Sequence, residues 1–279
     1  MKHFPHRDLD SRSAAYLLVT HGSRDPRPDW AAHQLADRVA KRLIALTAAA
    51  IPDPPHPLVG TATLELAEEP LHRQIERFGD RAQSLGMHQV AIVPLFLLPG
   101  VHVRDDLPRE VAVAQQSLGG RVALHLTPYL GSHPAMGGYL RHCLDDFSEE
   151  SQWADGQPAK IGRIVMAHGS RRPGGNQLIE AIAHQLDAEP AYWFVAPSLP
   201  DQVQTLVQRG CRQIRIMPYF LFAGGITDAI AEMVCQVSAQ HPDLALLLQA
   251  PLGPTPAIAE MVVDLLTQVE FPAAATSIF

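Results

Sequence analysis

Two histidines in the first half of this 279-residue chain stand where side chains can do chemistry. His21, in Val19-Thr20-His21-Gly22-Ser23-Arg24, closes an apolar run and precedes an amphipathic one, so it falls where a strand ends and a helix begins. His102 follows a second apolar run, Pro94-Leu-Phe-Leu-Leu-Pro-Gly100-Val101, and stands before Arg104 and another amphipathic stretch. In an open parallel sheet the carboxyl ends of the strands are where ligands bind. Neutral imidazole both ligates transition metals and accepts protons near neutral pH, so two of them on neighbouring strand ends can converge on one object for either purpose. Gly22 and Ser23 supply a tight turn and a helix N-cap, and Pro26 or Pro28 opens the helix without losing a needed N–H. Histidine is also the compositional outlier, with 11 of its 14 copies in residues 1–150. His3, His6 and His56 lie in Pro-containing or charged sequence and read as solvated.

The elements that must position these residues occur twice. Tyr16-Leu-Leu-Val-Thr-His21-Gly-Ser-Arg24 returns as Ile164-Val-Met-Ala-His168-Gly-Ser-Arg171, and Val93-Pro-Leu-Phe-Leu-Leu-Pro-Gly100 returns as Met217-Pro-Tyr-Phe-Leu-Phe-Ala-Gly224. Tyr129-Leu-Gly131 with Pro134-Ala-Met136 returns as Pro251-Leu-Gly253 with Pro256-Ala-Ile258, which makes an ordered duplication. Each copy alternates β-rich apolar runs with amphipathic stretches, the pattern of βα units in a parallel sheet. Strands are expected at 16–20, 58–64, 88–95 and 121–126, then 162–167, 191–195, 211–218 and 244–249. Helices are expected at 28–47, 68–85, 104–116 and 132–147, then 174–187, 198–209, 226–240 and 255–269. Residues 148–160 lose periodicity, which places the boundary there and predicts an N-terminal lobe over 1–150 and a degenerate C-terminal lobe over 151–279. Pro52, Pro54, Pro55 and Pro57 mark 51–57 as an exposed connection.

The duplication is an internal control. Matching Gly100 to Gly224 puts Ile226 opposite His102, so the second copy keeps His168 and lacks its partner. The working pair is therefore His21 with His102, and His168 reads as a relic or a wall residue.

Composition narrows the class. With 47% hydrophobic and 18% charged residues the chain is globular, and a net charge of -7, acidic in both halves, excludes bulk polyanion binding such as nucleic acid. Cys143, Cys211 and Cys235 are an odd number without CxxC spacing, against a disulfide framework or a structural zinc site. No apolar run reaches the ~20 residues of a membrane span, and the acidic amino-terminal segment does not read as a targeting peptide, so a cytoplasmic location is expected.

HGSR after the first strand, PLFLLPGVHVRDDLP after the third and a degenerate second copy resemble the sirohydrochlorin chelatases of the CbiX/SirB type, over residues 14–270. The resemblance implies two tandem Rossmann-like parallel-sheet lobes of chelatase-like α/β fold, and insertion of a divalent metal into sirohydrochlorin with release of two protons. It implies no permanently bound cofactor; Fe2+, or alternatively Co2+, enters as co-substrate. His21 and His102 then hold the ion or accept ring protons, and either assignment fits their chemistry. Glu65, in a Leu64-Glu-Leu-Ala-Glu68 stretch similar to the family's cleft segment, guides the cation or relays protons, whereas Glu68 and Glu69 read as helix-start acids. Arg24, Arg27, Arg104 and Arg109 flank the two motifs and are the candidates for the substrate's eight carboxylates. A fused duplication predicts a monomer, with a homodimer as the alternative. Two rivals stand beside this reading. A histidine phosphatase would carry an arginine where Thr20 stands, and a non-catalytic tetrapyrrole or metal carrier would bind without turnover.

Overall fold

The computed structural model of the chain describes residues 14–48, 56–146 and 160–269. The first copy runs β1 (Ala14–Thr20), α1 (Arg27–Ala48), β2 (Val59–Thr63), α2 (Leu71–Ser84), β3 (Gln89–Pro94), α3 (Leu107–Leu118), β4 (Ala123–Leu126) and α4 (Met136–Asp145). The second runs β5 (Ile161–Ala167), α5 (Gln177–Gln185), β6 (Glu189–Tyr192), α6 (Leu199–Gln208), β7 (Gln213–Pro218), α7 (Gly225–Gln240), β8 (Ala245–Leu248) and α8 (Pro256–Thr267). The expected alternation is present in both copies, with two local differences. The helix expected from 104 starts at Leu107, because residues 102–106 form a wide π turn in which Leu107 N donates to His102 O. Pro108, next in the chain, supplies no N–H that would tighten it. The strand expected at 191–195 lies earlier, at 189–192, and the chain leaves the sheet after Tyr192.

Both sheets are parallel, in the orders β2-β1-β3-β4 and β6-β5-β7-β8. Leu17 faces Gly60 on one side and Ile92 on the other, and Val165 faces Pro190 and Met217 in the same way. All seven residues of β1 are buried, as a central strand with helices on both faces requires. Leu17, Ile75, Ile92, Leu107 and Leu118 belong to the core of one sheet, and Ile164, Val203, Ile216 and Ile230 to that of the other.

The two compact units do not follow the expected boundary at 150. One comprises Met1–His133 with Pro254–Phe279, the other Pro134–Gly253. Helix α8 packs along α1 and reaches β3, while α4 lies on β7. Arg42 of α1 pairs with Glu260 of α8 at 2.6 Å. Arg215, buried in β7, donates to the last carbonyls of α4, Leu144 O at 3.2 Å and Asp145 O at 3.4 Å. Each sheet needs apolar cover on both faces, and α4 and α8 bring similar buried rows, Met136, Leu140 and Leu144 against Ile258, Val262 and Leu266. Their sequences fit either sheet, so the exchange was invisible in the periodicity. Most of the stretch where the boundary was expected, 147–159, lies outside the described residues, as do 49–55 of the Pro-rich connection. No helix among the described residues is long and apolar enough to cross a membrane.

Candidate metal centre

The site lies where two chain directions part. α1 packs with α8 whereas α2 packs with α3, so the chain leaves the adjacent strands β1 and β3 toward different helix layers. A crevice outside the strand ends follows at such a switch point. Three backbone hydrogen bonds extend the ladders to the sheet's rim: Leu64 N to Thr20 O and Glu65 N to His21 O at 2.9 Å each, and Leu95 N to Val19 O at 2.8 Å. They fix His21 beside Glu65. Gly22 turns the chain away with φ +99, and a Cβ there would lie 2.0 Å from the Glu65 carbonyl oxygen, so only glycine allows the approach. The Glu65 segment is clamped from α2, where the Gln74 amide accepts from Thr63 N and donates to the carbonyls of Thr63 and Glu69. The helix start departs from expectation: Asp25 caps α1 by accepting from Arg27 N at 3.0 Å, while Ser23 accepts from Asp25 N.

His21 Nε2 and His102 Nε2 are 3.2 Å apart. The two Glu65 carboxylate oxygens reach toward them, Oε2 at 3.9 Å from His21 and Oε1 at 4.0 Å from His102. The ligand atoms of these three residues lie within 4.8 Å of one another, the one such group of three among the described residues. Nitrogens bound to one transition ion at ~2.1 Å, with angles of 90–110°, stand about 3.0–3.4 Å apart, so the two imidazoles need no rearrangement to share an ion. The carboxylate has to close in by roughly an ångström for the same bond length. Phe96 walls the pair, its ring 6.3 Å from that of His21 and 6.4 Å from that of His102.

What stands behind the imidazoles sets their tautomers. His102 Nδ1 is 2.9 Å from Asp106 Oδ2, and His21 Nδ1 is 3.3 Å from Gly22 O. Both partners only accept, so both Nδ1 atoms carry the proton and both Nε2 lone pairs converge. Two facing lone pairs and a carboxylate make a negative pocket that a cation, or a shared proton, relieves. The pocket is open: the His21 and Glu65 side chains are half exposed and that of His102 one-third exposed.

The arginines divide. Arg27 is held by Asp25 and Arg109 by Asp106, so these two expected substrate cations already face carboxylates. The Arg24 and Arg104 side chains are exposed, with no side-chain hydrogen bond or ion pair among the described residues; the Arg104 backbone N donates to Gly100 O, and its charge acts on Tyr129. Leu66 and Val101, adjacent to the ligands in sequence, are exposed apolar residues, and Leu66 is held at φ +61, a strained backbone for a leucine.

The second copy preserves the frame without the ligands. Trp193 N donates to Ala167 O and Phe194 N to His168 O, the bonds that Leu64 and Glu65 make in the first copy. Phe194 thus takes the place of Glu65, its ring 4.5 Å from that of His168, and Ile226 takes the place of His102.

Fold and site together define a tandem α/β protein with a cluster of two histidines and one carboxylate, of a kind that could hold a cation, at the strand ends of one of its two sheets. The CbiX family model matches residues 15–146 and 162–269, both copies, and the chain belongs to that family. It is similar to the sirohydrochlorin cobaltochelatase of Priestia megaterium, 24% identical over 257 residues, covering 85% of this chain and 74% of that one. It is equally similar to the sirohydrochlorin ferrochelatase of the same organism, 24% identical over 232 residues, covering 80% and 79%. Among solved structures, SirB from Bacillus subtilis with Fe3+ shares the fold with a TM-score of 0.66 at 23% identity, over 91% of this chain and 94% of that one.

Proposed function

We propose that this protein is a chelatase that inserts a divalent metal into sirohydrochlorin, with ferrous iron as the metal substrate. The convergence of His21 Nε2, His102 Nε2 and the Glu65 carboxylate on one open point carries this reading. Family membership and relatives named for this reaction with iron or cobalt support it. Insertion removes two pyrrole N–H protons as M2+ enters and exchanges the ion's water for four ring nitrogens. A centre with three protein ligands holds the ion loosely enough to release it. His102, backed by a carboxylate, is the fixed ligand. His21, backed only by a carbonyl, lets go of the ion as the ring nitrogens take it, and its freed Nε2 and the Glu65 carboxylate then accept the two pyrrole protons. Leu66 and Val101 offer apolar contact to the macrocycle, and Arg24 and Arg104 meet its carboxylates. The metal is a substrate, and no resident cofactor enters the reaction. The equal similarity to the cobaltochelatase favours a second reading, in which cobaltous ion is inserted.

The test is anaerobic metallation followed by visible absorbance, with protein at catalytic concentration and Fe2+ and Co2+ supplied separately. Multiple turnover above the protein-free rate is expected, and the faster metal is the substrate. A spectral change that stops at one equivalent of protein would establish a carrier instead. The same reading takes the protein to act as a monomer in the cytoplasm, on a small-molecule substrate, without nucleic acid or membrane.

A further inference from the structure

We infer that Asp106 is a positioning residue for the metal centre, setting the tautomer and ring orientation of His102, and that Arg109 in turn holds Asp106. The inference rests on the reading of His102 as a metal ligand. Asp106 pairs with His102 and Arg109 and makes no hydrogen bond or ion pair with Glu65 or His21. Its Oδ2 lies 2.9 Å from His102 Nδ1 and its Oδ1 3.0 Å from Arg109 Nη2. Both neighbours are donors, so one carboxylate takes the imidazole N–H with one oxygen and the guanidinium with the other. The His102 side chain thereby presents a bare Nε2 toward His21, and such a carboxylate behind a ligating histidine also raises its basicity. The connection is local: residues 102 and 106 lie within the single π turn between β3 and α3, a turn type frequent at functional sites. The carboxylate is three-quarters buried and the guanidinium outside it is mostly exposed, so the proton-accepting oxygen is shielded while the charge is balanced at the surface.

The internal repeat supplies an independent argument. Matching Gly100 to Gly224 puts Ile226 at position 102; the π turn holds one residue more than the regular helix α7, so beyond it core-facing Leu107 matches Ile230, and Asp106 and Arg109 match Ala229 and Glu232. Ile226 packs against the second core, while Ala229 is half-buried and Glu232 exposed. Where the histidine is missing, its carboxylate and the carboxylate's arginine are missing too, and the π turn that joins them gives way to regular helix from Gly225.

The experiment is titration of the full-length protein with Co2+ in the absence of tetrapyrrole, read by the cobalt d–d absorption band, for wild type, D106A, D106N and R109A. D106A is expected to weaken Co2+ binding about 10- to 100-fold and to alter the band's position or intensity. D106N, which keeps an acceptor oxygen for Nδ1, should recover most of the affinity, and R109A should lose a smaller part. Thermal melts of all variants should match wild type, since a fold defect would lower D106A and D106N together. Unchanged Co2+ affinity and spectrum in D106A, or equal losses in D106A and D106N, would overturn the inference. H102A in the same titration separates the two claims: if it too binds Co2+ normally, the ligand assignment fails first.

Discussion

His21 and His102 differ in what stands behind them, and that difference gives the residue-scale predictions. Replacing either with alanine removes one of three ligand groups and should abolish metallation, whereas H168A, in the copy without a partner histidine, should leave the rate within about twofold; absorbance-based steady-state rates compare them. E65Q keeps the shape and removes the base, so kcat should fall by ~10²-fold or more while the macrocycle KM holds. R24E and R104E should do the reverse, raising that KM with kcat little changed, because each reaches the substrate's periphery rather than the ring nitrogens. His21 and Glu65 were legible in the sequence because each stands just past a strand end, and His102 because the repeat puts Ile226 in its place. Asp106 was not, since in Arg104-Asp105-Asp106 either acid satisfies the pattern and only the turn's geometry shows which one reaches Nδ1. Nor could spacing show that Arg27 and Arg109 are taken up by acids two and three residues away.

At the scale of elements, α4 and α8 set the testable claims. Leu266 is fully buried on α8 and Leu140 on α4. Truncating either to alanine should cost about 2–5 kcal/mol, but in different places. L266A, near the end of the second copy, should speed amide exchange in β1 and β3, and L140A, in the first copy, should speed it in β7; hydrogen-exchange mass spectrometry reads both. The opposite pairing would mean that each helix covers its own copy's sheet. His133 adds a pH dependence to the α8 contact, for it is buried and 3.6 Å from Asp264 on that helix. Burial holds its imidazole below the ordinary value, partly opposed by the Asp264 charge, and burial lowers His125 on β4 as well. Above pH ~6.5 both histidines are neutral folded or unfolded and contribute nothing to the slope. Below it the unfolded chain takes up protons that the folded one resists, so stability falls as pH drops from 6.5 toward the folded values. H133Q should flatten the decline of melting temperature between pH 7.5 and 5.5; an unchanged slope would remove His133 from the account. The strands and helices themselves were readable almost to their ends, because burial on two faces leaves a strong period. Which sheet a helix covers was not, because two copies of one pattern offer the same apolar row to two equivalent faces.

For the whole molecule, the exchange makes one unit an insert within the other: 134–253 is a continuous segment, and the remaining unit is assembled from the segments on either side of it. A fragment spanning 134–253 contains every helix and strand of its unit and should melt cooperatively. A fragment of 1–150 lacks α8, leaves the outer side of α1 uncovered and should not, unless a peptide carrying 254–269 is added back; circular dichroism melts of the three samples decide it. The sheet whose strand ends carry His21 and Glu65 is therefore completed by a helix far downstream. On the ribosome this order has a cost. The nested unit can close as soon as β8 has emerged, while the sheet that carries His21, Glu65 and His102 waits, part of one face uncovered beside α1, until α8 is made. Nascent chains with residues up to 253 outside the ribosome and α8 still inside it would present that apolar patch while the nested unit is already folded, and it is there that a holding chaperone would bind.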